Sequence, residues 1–226
     1  MRGQTMSIDP KAALLKEYAL VAHALSAPAR LTLLEQIAQG ERGVDSLAEK
    51  TGLTVANASQ HLQQLRRAGL VTSRRAGKAV IYRLSDAKTL ALMDLLRVLA
   101  EGNLAQVEGI LRGLSDGADA PEPVSREDLA ARLTEGSVII LDVRPADEFA
   151  LGHIPGARNV PPPDLEALVP TLEGGAEIVA YCRGPYCIYA HQAVAALRRH
   201  GLNARRLKGG LPEWRAEGRP VSAGAR

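Results

Sequence analysis

SLAEKTGLTVANASQHLQQLRRAGLVTSRRAGKAVIYRL, residues 46–84, decides the fold of the N-terminal half. The segment VDSLAEKTG (44–52) reads as a short helix stopped by Gly52. Thr54 then caps a second helix that puts Leu62 and Leu65 on one face and polar residues in its first two turns. A short helix, a tight glycine turn and a polar-fronted second helix make the helix-turn-helix pattern. Beyond Gly69, VTSRR (71–75) and KAVIYRL (78–84) read as two strands around a basic Ala-Gly tip, a wing. No acidic residue occurs between Glu49 and Asp86, whereas Lys50, Arg66, Arg67, Arg74, Arg75, Lys78 and Arg83 all fall there. A local excess of this kind suits a polyanion, although a solvated helix face with a basic loop would carry the same charges.

Working outward, KAALLKEYALVAHAL (11–25) has helical spacing. Ser26 is placed to cap a following helix, with Pro28 in its first turn and Gly40 ending it. On the other side, residues 88–114 read as one last helix with Leu90, Leu95, Leu99, Leu104 and Ile110 distributed all round it. One small domain cannot cover such a helix, so a second chain is expected against it. The stretch GLSDGADAPEPVS (113–125) has no apolar period and reads as a linker. After it, the runs SVIILDV (137–143), EIVAYC (177–182) and ARRLKGG (204–210) alternate with helical stretches, the pattern of a parallel sheet flanked by helices. The expected architecture is therefore two domains, a mainly α winged helix-turn-helix at 1–112 and an α/β domain at 124–226, joined by a linker at 113–123.

Composition narrows the class. Of 226 residues, 46% are apolar and 23% charged, enough for packed cores, with one Trp, one Phe and five Tyr. No apolar run approaches the ~20 residues of a membrane span, and the first ten residues lack the apolar centre of a secretory signal. Two cysteines do not make a disulfide framework and fit a reducing compartment. A cytoplasmic protein without membrane contact is expected.

Both cysteines lie in one loop, Tyr181-Cys182-Arg183-Gly184-Pro185-Tyr186-Cys187, between the strand EIVAY and the helical stretch IYAHQAVAALRRH. A thiol at a strand end facing a helix N-terminus meets unpaired N–H groups and the positive end of the helix dipole. Both favour a thiolate and bound anions, and Arg183 adds a cation. The structural alternative is a pair of ordinary buried cysteines. A Cys-x5-Arg phosphatase loop is ruled out by Ile188, and Cys182, Cys187 and His191 supply only three ligands for zinc, so no metal or other cofactor is expected.

Residues of about 15–112 resemble the ArsR-type winged-helix repressors, with 46–84 matching almost position for position. The resemblance implies a homodimer on double-stranded DNA, its recognition helices about 34 Å apart on an inverted-repeat operator. Carried over, Val55, Ala56, Asn57, Ser59, Gln60 and His61 occupy the groove-facing part of the recognition helix. Asn57 and Gln60 are suited to base edges. Packing or capping is the alternative role of Ser59 and His61. Arg74, Arg75 and Lys78 would neutralise phosphates. The chain departs from metal-sensing members, since Gly43 and Asp45 stand in their cysteine positions and His23 and His61 are isolated.

The segments IILDVRPADEFALGHIPGARNVP (139–161), the cysteine loop and RLKGGLPEW (206–214) together resemble the rhodanese domain. The resemblance implies that Cys182 takes sulfane sulfur from a donor, holds it as a persulfide and passes it to a thiol acceptor, with Arg183, Gly184, Pro185 and Tyr186 and the N–H groups of 183–187 around the sulfur. Asp142, Arg144, Glu148 and His153 fall in its framework motif, and Gly209, Gly210 and Trp214 read as packing. Where many single-domain rhodaneses carry Arg, this chain has Cys187, a second thiol able to attack a persulfide on Cys182. The expected function is a DNA-binding repressor that senses reactive sulfur or redox state through Cys182 and Cys187. The alternative is an active sulfurtransferase whose winged helix controls its own operon.

Overall fold

The computed structural model describes residues 9–114, 122–172, 175–185 and 187–224, apart from the side chains of 108 and 111–114. The chain forms two compact units, divided between Thr89 and Leu90. Of the expected linker, residues 115–121 lie outside the described residues.

The first unit runs α1 (Pro10–Leu25), α2 (Pro28–Gln39), β1 (Arg42–Gly43), α3 (Val44–Thr51), α4 (Val55–Arg67), β2 (Val71–Ala76) and β3 (Ala79–Leu84). Leu33 and Leu34 of α2, Leu47 of α3, and Leu62 and Leu65 of α4 are fully buried and form its centre. Gly52 ends α3 in the left-handed region (φ 67°), which a glycine adopts without a Cβ penalty. Its N–H donates to Glu49 O and that of Leu53 to Ala48 O, so the chain turns sharply into α4. Thr54 Oγ1 accepts from Asn57 N at 3.2 Å, the expected cap. The wing is the antiparallel pair β2–β3, and β1 adds a third strand in the order β1-β3-β2 that two residues were too short to announce. Ser26 does not cap α2. It ends α1, with its Oγ donating to His23 O at 2.8 Å, and α2 starts from Ala27 without a side-chain cap. Pro28 presets the first turn of α2, so that start stands without one.

The expected single helix over 88–114 is two: α5 (Ala87–Asn103) and α6 (Ala105–Leu114), broken at Leu104. Asn103 donates its side-chain amide to Leu99 O at 2.7 Å, a local bond that competes with the helical ladder. Leu95, Leu96, Val98 and Leu99 of α5 are exposed, as are Leu14, Leu15 and Tyr18 of α1.

The second unit continues through α7 (Arg126–Glu135), β4 (Val138–Asp142), α8 (Ala146–Leu151), β5 (Arg158–Asn159), α9 (Leu165–Leu168), β6 (Glu177–Cys182), α10 (Ile188–Arg199), β7 (Ala204–Gly210) and α11 (Leu211–Ala216). The three strands read from the sequence form one parallel sheet, with the short β5 added at its edge in the order β5-β4-β6-β7. Strand β6 is central and buried on both faces. By the two-residue period of a strand, Ile178, Ala180 and Cys182 join the core shared with Ala193, Val194 and Leu197 of α10. Val179 and Tyr181 join the opposite core, with Leu129, Leu211 and Trp214. Sheet alternation therefore sends Cys182 to the α10 side. Among the described residues, no helix is long and apolar enough to cross a membrane.

Candidate nucleic-acid interface and cysteine loop

Helix α4 buries Ala58, Leu62 and Leu65, a stripe at helical spacing that fixes which residues face outward. Val55, Ala56, Asn57 and Gln60 are exposed, whereas Ser59 and His61 are half-buried. His61 Nδ1 is buried with no hydrogen-bond partner among the described residues, so that edge of the ring faces the protein. The wing turns at Gly77 (φ 60°), and Arg75 and Lys78 are exposed at its tip. Arg74 is also exposed, but its guanidinium is paired with Glu41, Nη2 to Oε2 at 2.8 Å and Nε to the same oxygen at 3.1 Å. Glu41 sits just before β1, and its contact with Arg74 depends on the unforeseen third strand. Arg66 Nη1 donates to Ser73 Oγ at 3.2 Å, tying the end of α4 to the wing.

In the second unit, the framework residues are buried and paired. Arg144 lies between its own turn and α8: Nη2 donates to Asp142 Oδ2 at 2.6 Å and to Gly152 O at 2.7 Å. Burial disfavours that cation, but the hydrogen bond to Asp142 and its charge outweigh the loss and hold the group above its ordinary value. His153 stacks on Phe149, ring centroids 3.7 Å apart, with Nδ1 3.0 Å from Phe149 O. It is a buried, packed side chain.

The loop itself is built by three contacts. Cys182 ends β6 fully buried, and its backbone meets β7 at Gly210 across a local irregularity in register. A Cβ at Gly210 would fall 2.4 Å from Cys182 O and 2.6 Å from Gly184 N, so the loop packs on bare backbone. Glu213, in the first turn of α11, accepts from Gly210 N at 2.7 Å. Burial holds its carboxyl above the usual carboxylate range. The sequence Gly-Leu-Pro-Glu, a glycine followed three residues on by Glu, carried the signal for this cap.

Arg183 is not the free cation that the sequence suggested. Its Nε donates to both Glu148 oxygens at 3.0 Å and its Nη2 to Oε1 at 2.6 Å, and Glu148 is fully buried on α8. Burial acts against the guanidinium, yet the Glu148 bonds hold it charged. The positive charge beside Cys182 is thus matched by a carboxylate. Nor is every N–H of 183–187 available to a bound sulfur, because Cys187 N donates to Gly184 O at 3.2 Å. Pro185 has no N–H, and Tyr186 lies outside the described residues. Cys187 is the residue that caps α10, and its sulfur is bonded to that of Cys182, with the Cα atoms 5.9 Å apart. That spacing lies inside the range of about 4.4–6.8 Å that disulfides occupy. The backbone accommodates the bridge.

A profile described as "Bacterial regulatory protein, arsR family" matches residues 27–73, and one described as "Rhodanese-like domain" matches residues 125–217. The HTH-type transcriptional regulator Rv0324 of Mycobacterium tuberculosis is 42% identical over 226 residues, covering 100% of this chain and 97% of the relative. The chain belongs to the arsR family of transcriptional regulators, with a rhodanese-like domain at its C-terminal end. It is a DNA-binding regulator, and the winged helix is its DNA-binding part. The biofilm growth-associated repressor of Agrobacterium fabrum is 40% identical over 80 residues, 35% of this chain and 68% of the relative. Among solved structures, the homodimeric winged helix-turn-helix DNA-binding domain Mb0332 of Mycobacterium bovis is 40% identical. It covers 47% of this chain and 95% of that one at a TM-score of 0.41. A rhodanese-related protein of Thermoplasma volcanium is 27% identical, covering 45% and 98% at a TM-score of 0.41.

Proposed function

We propose that this regulator is a repressor whose DNA affinity is set by the sulfur or redox state of Cys182 and Cys187. The observation that carries the reading is the bridge between the two cysteines: the second thiol stands within bonding reach of the first. A persulfide donor RSSH meets the Cys182 thiolate, which forms a Cys182–S–SH persulfide and releases RS⁻. The Cys187 thiolate then attacks Sγ of Cys182, forming the disulfide and expelling HS⁻. Two protein thiols are oxidised while the sulfane sulfur is reduced to sulfide, and a cellular thiol restores the dithiol. Cytoplasmic reducing conditions suit such a resting dithiol.

The regulator works as a homodimer on an inverted repeat. The exposed apolar side chains of α1, and separately those of α5, are each an apolar face that a second copy covers. Val55, Ala56, Asn57 and Gln60 face the major groove, flanked by Ser59 and His61, and Arg75 and Lys78 meet phosphates, joined by Arg74 when Glu41 yields it. Switching the dimer from 1:99 to 99:1 needs about 5.5 kcal/mol of differential binding, so the loop must change shape substantially.

The test is fluorescence anisotropy on promoter DNA at fixed salt, reduced against polysulfide-treated, with Cys182→Ser beside the wild type. An affinity change in the wild type that Cys182→Ser abolishes supports the reading; equal affinity in both states refutes it. The intact Asp142–Arg144 and Glu148–Arg183 pairs favour a second reading, a working sulfurtransferase with a winged helix that only controls its own operon. Faster turnover in Cys187→Ser than in wild type would mark Cys187 as a resolving thiol and favour the switch.

A further inference from the structure

Arg30 is 5% exposed, and among the described residues no carboxylate is a partner of its guanidinium at hydrogen-bond distance. It sits in the first turn of α2, but its bonds run to two other helices. Nε donates to Ala24 O at 2.6 Å and Nη2 to His23 O at 2.6 Å, both carbonyls in the last turn of α1. The negative end of the α1 dipole lies at that turn, so a buried cation is stabilised there, beside the bonds that His23 O also accepts from Ser26 N at 3.1 Å and Ser26 Oγ at 2.8 Å. Nη2 also lies 3.3 Å from Ser26 Oγ. The remaining arm, Nη1, donates to Gln64 Oε1 at 2.8 Å, and Gln64 is one turn beyond Gln60 on α4.

We infer that Arg30 is a positioning residue for DNA recognition, a rigid strut between α1 and the recognition helix. The guanidinium is planar and its donors are fixed in one fork, so bonds at three of its nitrogens leave no freedom for one helix end to shift without the other. Its burial strengthens each bond, because water does not compete. The inference rests on the dimer reading. Helix α1 carries Leu14, Leu15 and Tyr18 of the surface assigned to a second copy. A change in how two copies meet would pass through the C-terminal turn of α1 and Arg30 to α4. There it would alter the separation of the two recognition helices, and so the match to a repeat of fixed spacing.

The probe is the duplex that the full-length wild-type protein enriches from a randomised pool, beside a scrambled duplex of the same composition. Selectivity is the ratio of the two affinities. Gln64→Leu is expected to lower selectivity roughly tenfold, the scale of one bond to a charged group. Its affinity for the scrambled duplex, dimer mass in sedimentation and melting midpoint by far-UV circular dichroism should stay as in wild type. Gln64→Glu keeps an acceptor opposite Arg30 and should retain the wild-type ratio. Arg30→Lys loses the fork and should fall like Gln64→Leu, with no added loss when the two are combined. If Gln64→Leu and Gln64→Glu share the wild-type ratio, or if selectivity falls only together with the melting midpoint, the strut is overturned while the dimer stands. A monomeric wild type on its selected duplex overturns the dimer reading, and the strut with it.

Discussion

Gly210→Ala isolates the one place where the cysteine loop rests on bare backbone. The added Cβ would stand 2.4 Å from Cys182 O, 2.6 Å from Gly184 N and 2.7 Å from Arg183 C. Non-bonded heavy atoms settle at roughly 3.5–4.0 Å, so the loop must retreat by about 1 Å. None of the three atoms belongs to a side chain that could swing aside. Gly210 has φ −151°, extended backbone that alanine adopts freely, so the clash is the whole effect. Overpacking of this kind costs about 2 kcal/mol, which for a domain of roughly 100 residues lowers the melting midpoint by about 10 °C. Trp214 is the only tryptophan in the chain and is buried in this unit, so its fluorescence follows the unfolding of the rhodanese-like part alone. Gly184→Ala is the comparison: its Cβ would meet nothing nearer than Glu213 Oε1 at 3.9 Å. It should melt like wild type. A Gly210→Ala midpoint within about 2 °C of wild type would refute the claim that β7 supports the loop by direct backbone contact.

Glu41→Gln should release Arg74 to phosphate. Affinity for non-specific duplex should rise, and the slope of log affinity against log salt should steepen by about one; an unchanged slope would mean that Arg74 already leaves Glu41 on binding. Glu213→Gln tests the buried cap. Burial raises the Glu213 carboxyl in the folded chain, so the folded state binds a proton more tightly than the unfolded state. Its contribution is therefore fully present below the ordinary carboxylate value and is lost as pH rises through the folded value. Glu213→Gln should flatten that part of the Trp214 melting profile between acid and neutral pH, and an unaltered difference between the two ends would exclude Glu213 as its source.

Both halves of the molecule were legible in the chain itself, because their signals are local. The period of Leu62 and Leu65, the cap at Thr54 and the glycine at 52 specify a helix, a start and a left-handed turn within a few residues of one another. The runs at 137–143, 177–182 and 204–210 are apolar or turn-bounded enough to be strands, and all three are. The resemblance to two families then supplied expectations that periodicity does not carry: which positions of α4 would face a groove and which cysteine would act as nucleophile.

What the chain could not disclose are partnerships between residues far apart in sequence. Arg183 reads as a cation beside Cys182, yet Glu148, 35 residues earlier, neutralises it from inside the core. Arg74 reads as a phosphate contact, yet Glu41 holds it across the strand β1 that only pairing with β3 defines. Arg30 reads as an ordinary basic residue after a proline, and only the packing of α1 and α4 around α2 gives it His23, Ala24 and Gln64 as partners. The helix over 88–114 reads as continuous because its leucines continue, whereas one amide of Asn103 turning to Leu99 O accompanies its break. Charge, period and capping are properties of neighbours along the chain. Which cation meets which carboxylate, and whether two thiols five residues apart lie within bonding distance, depends on backbone paths that tertiary packing alone sets.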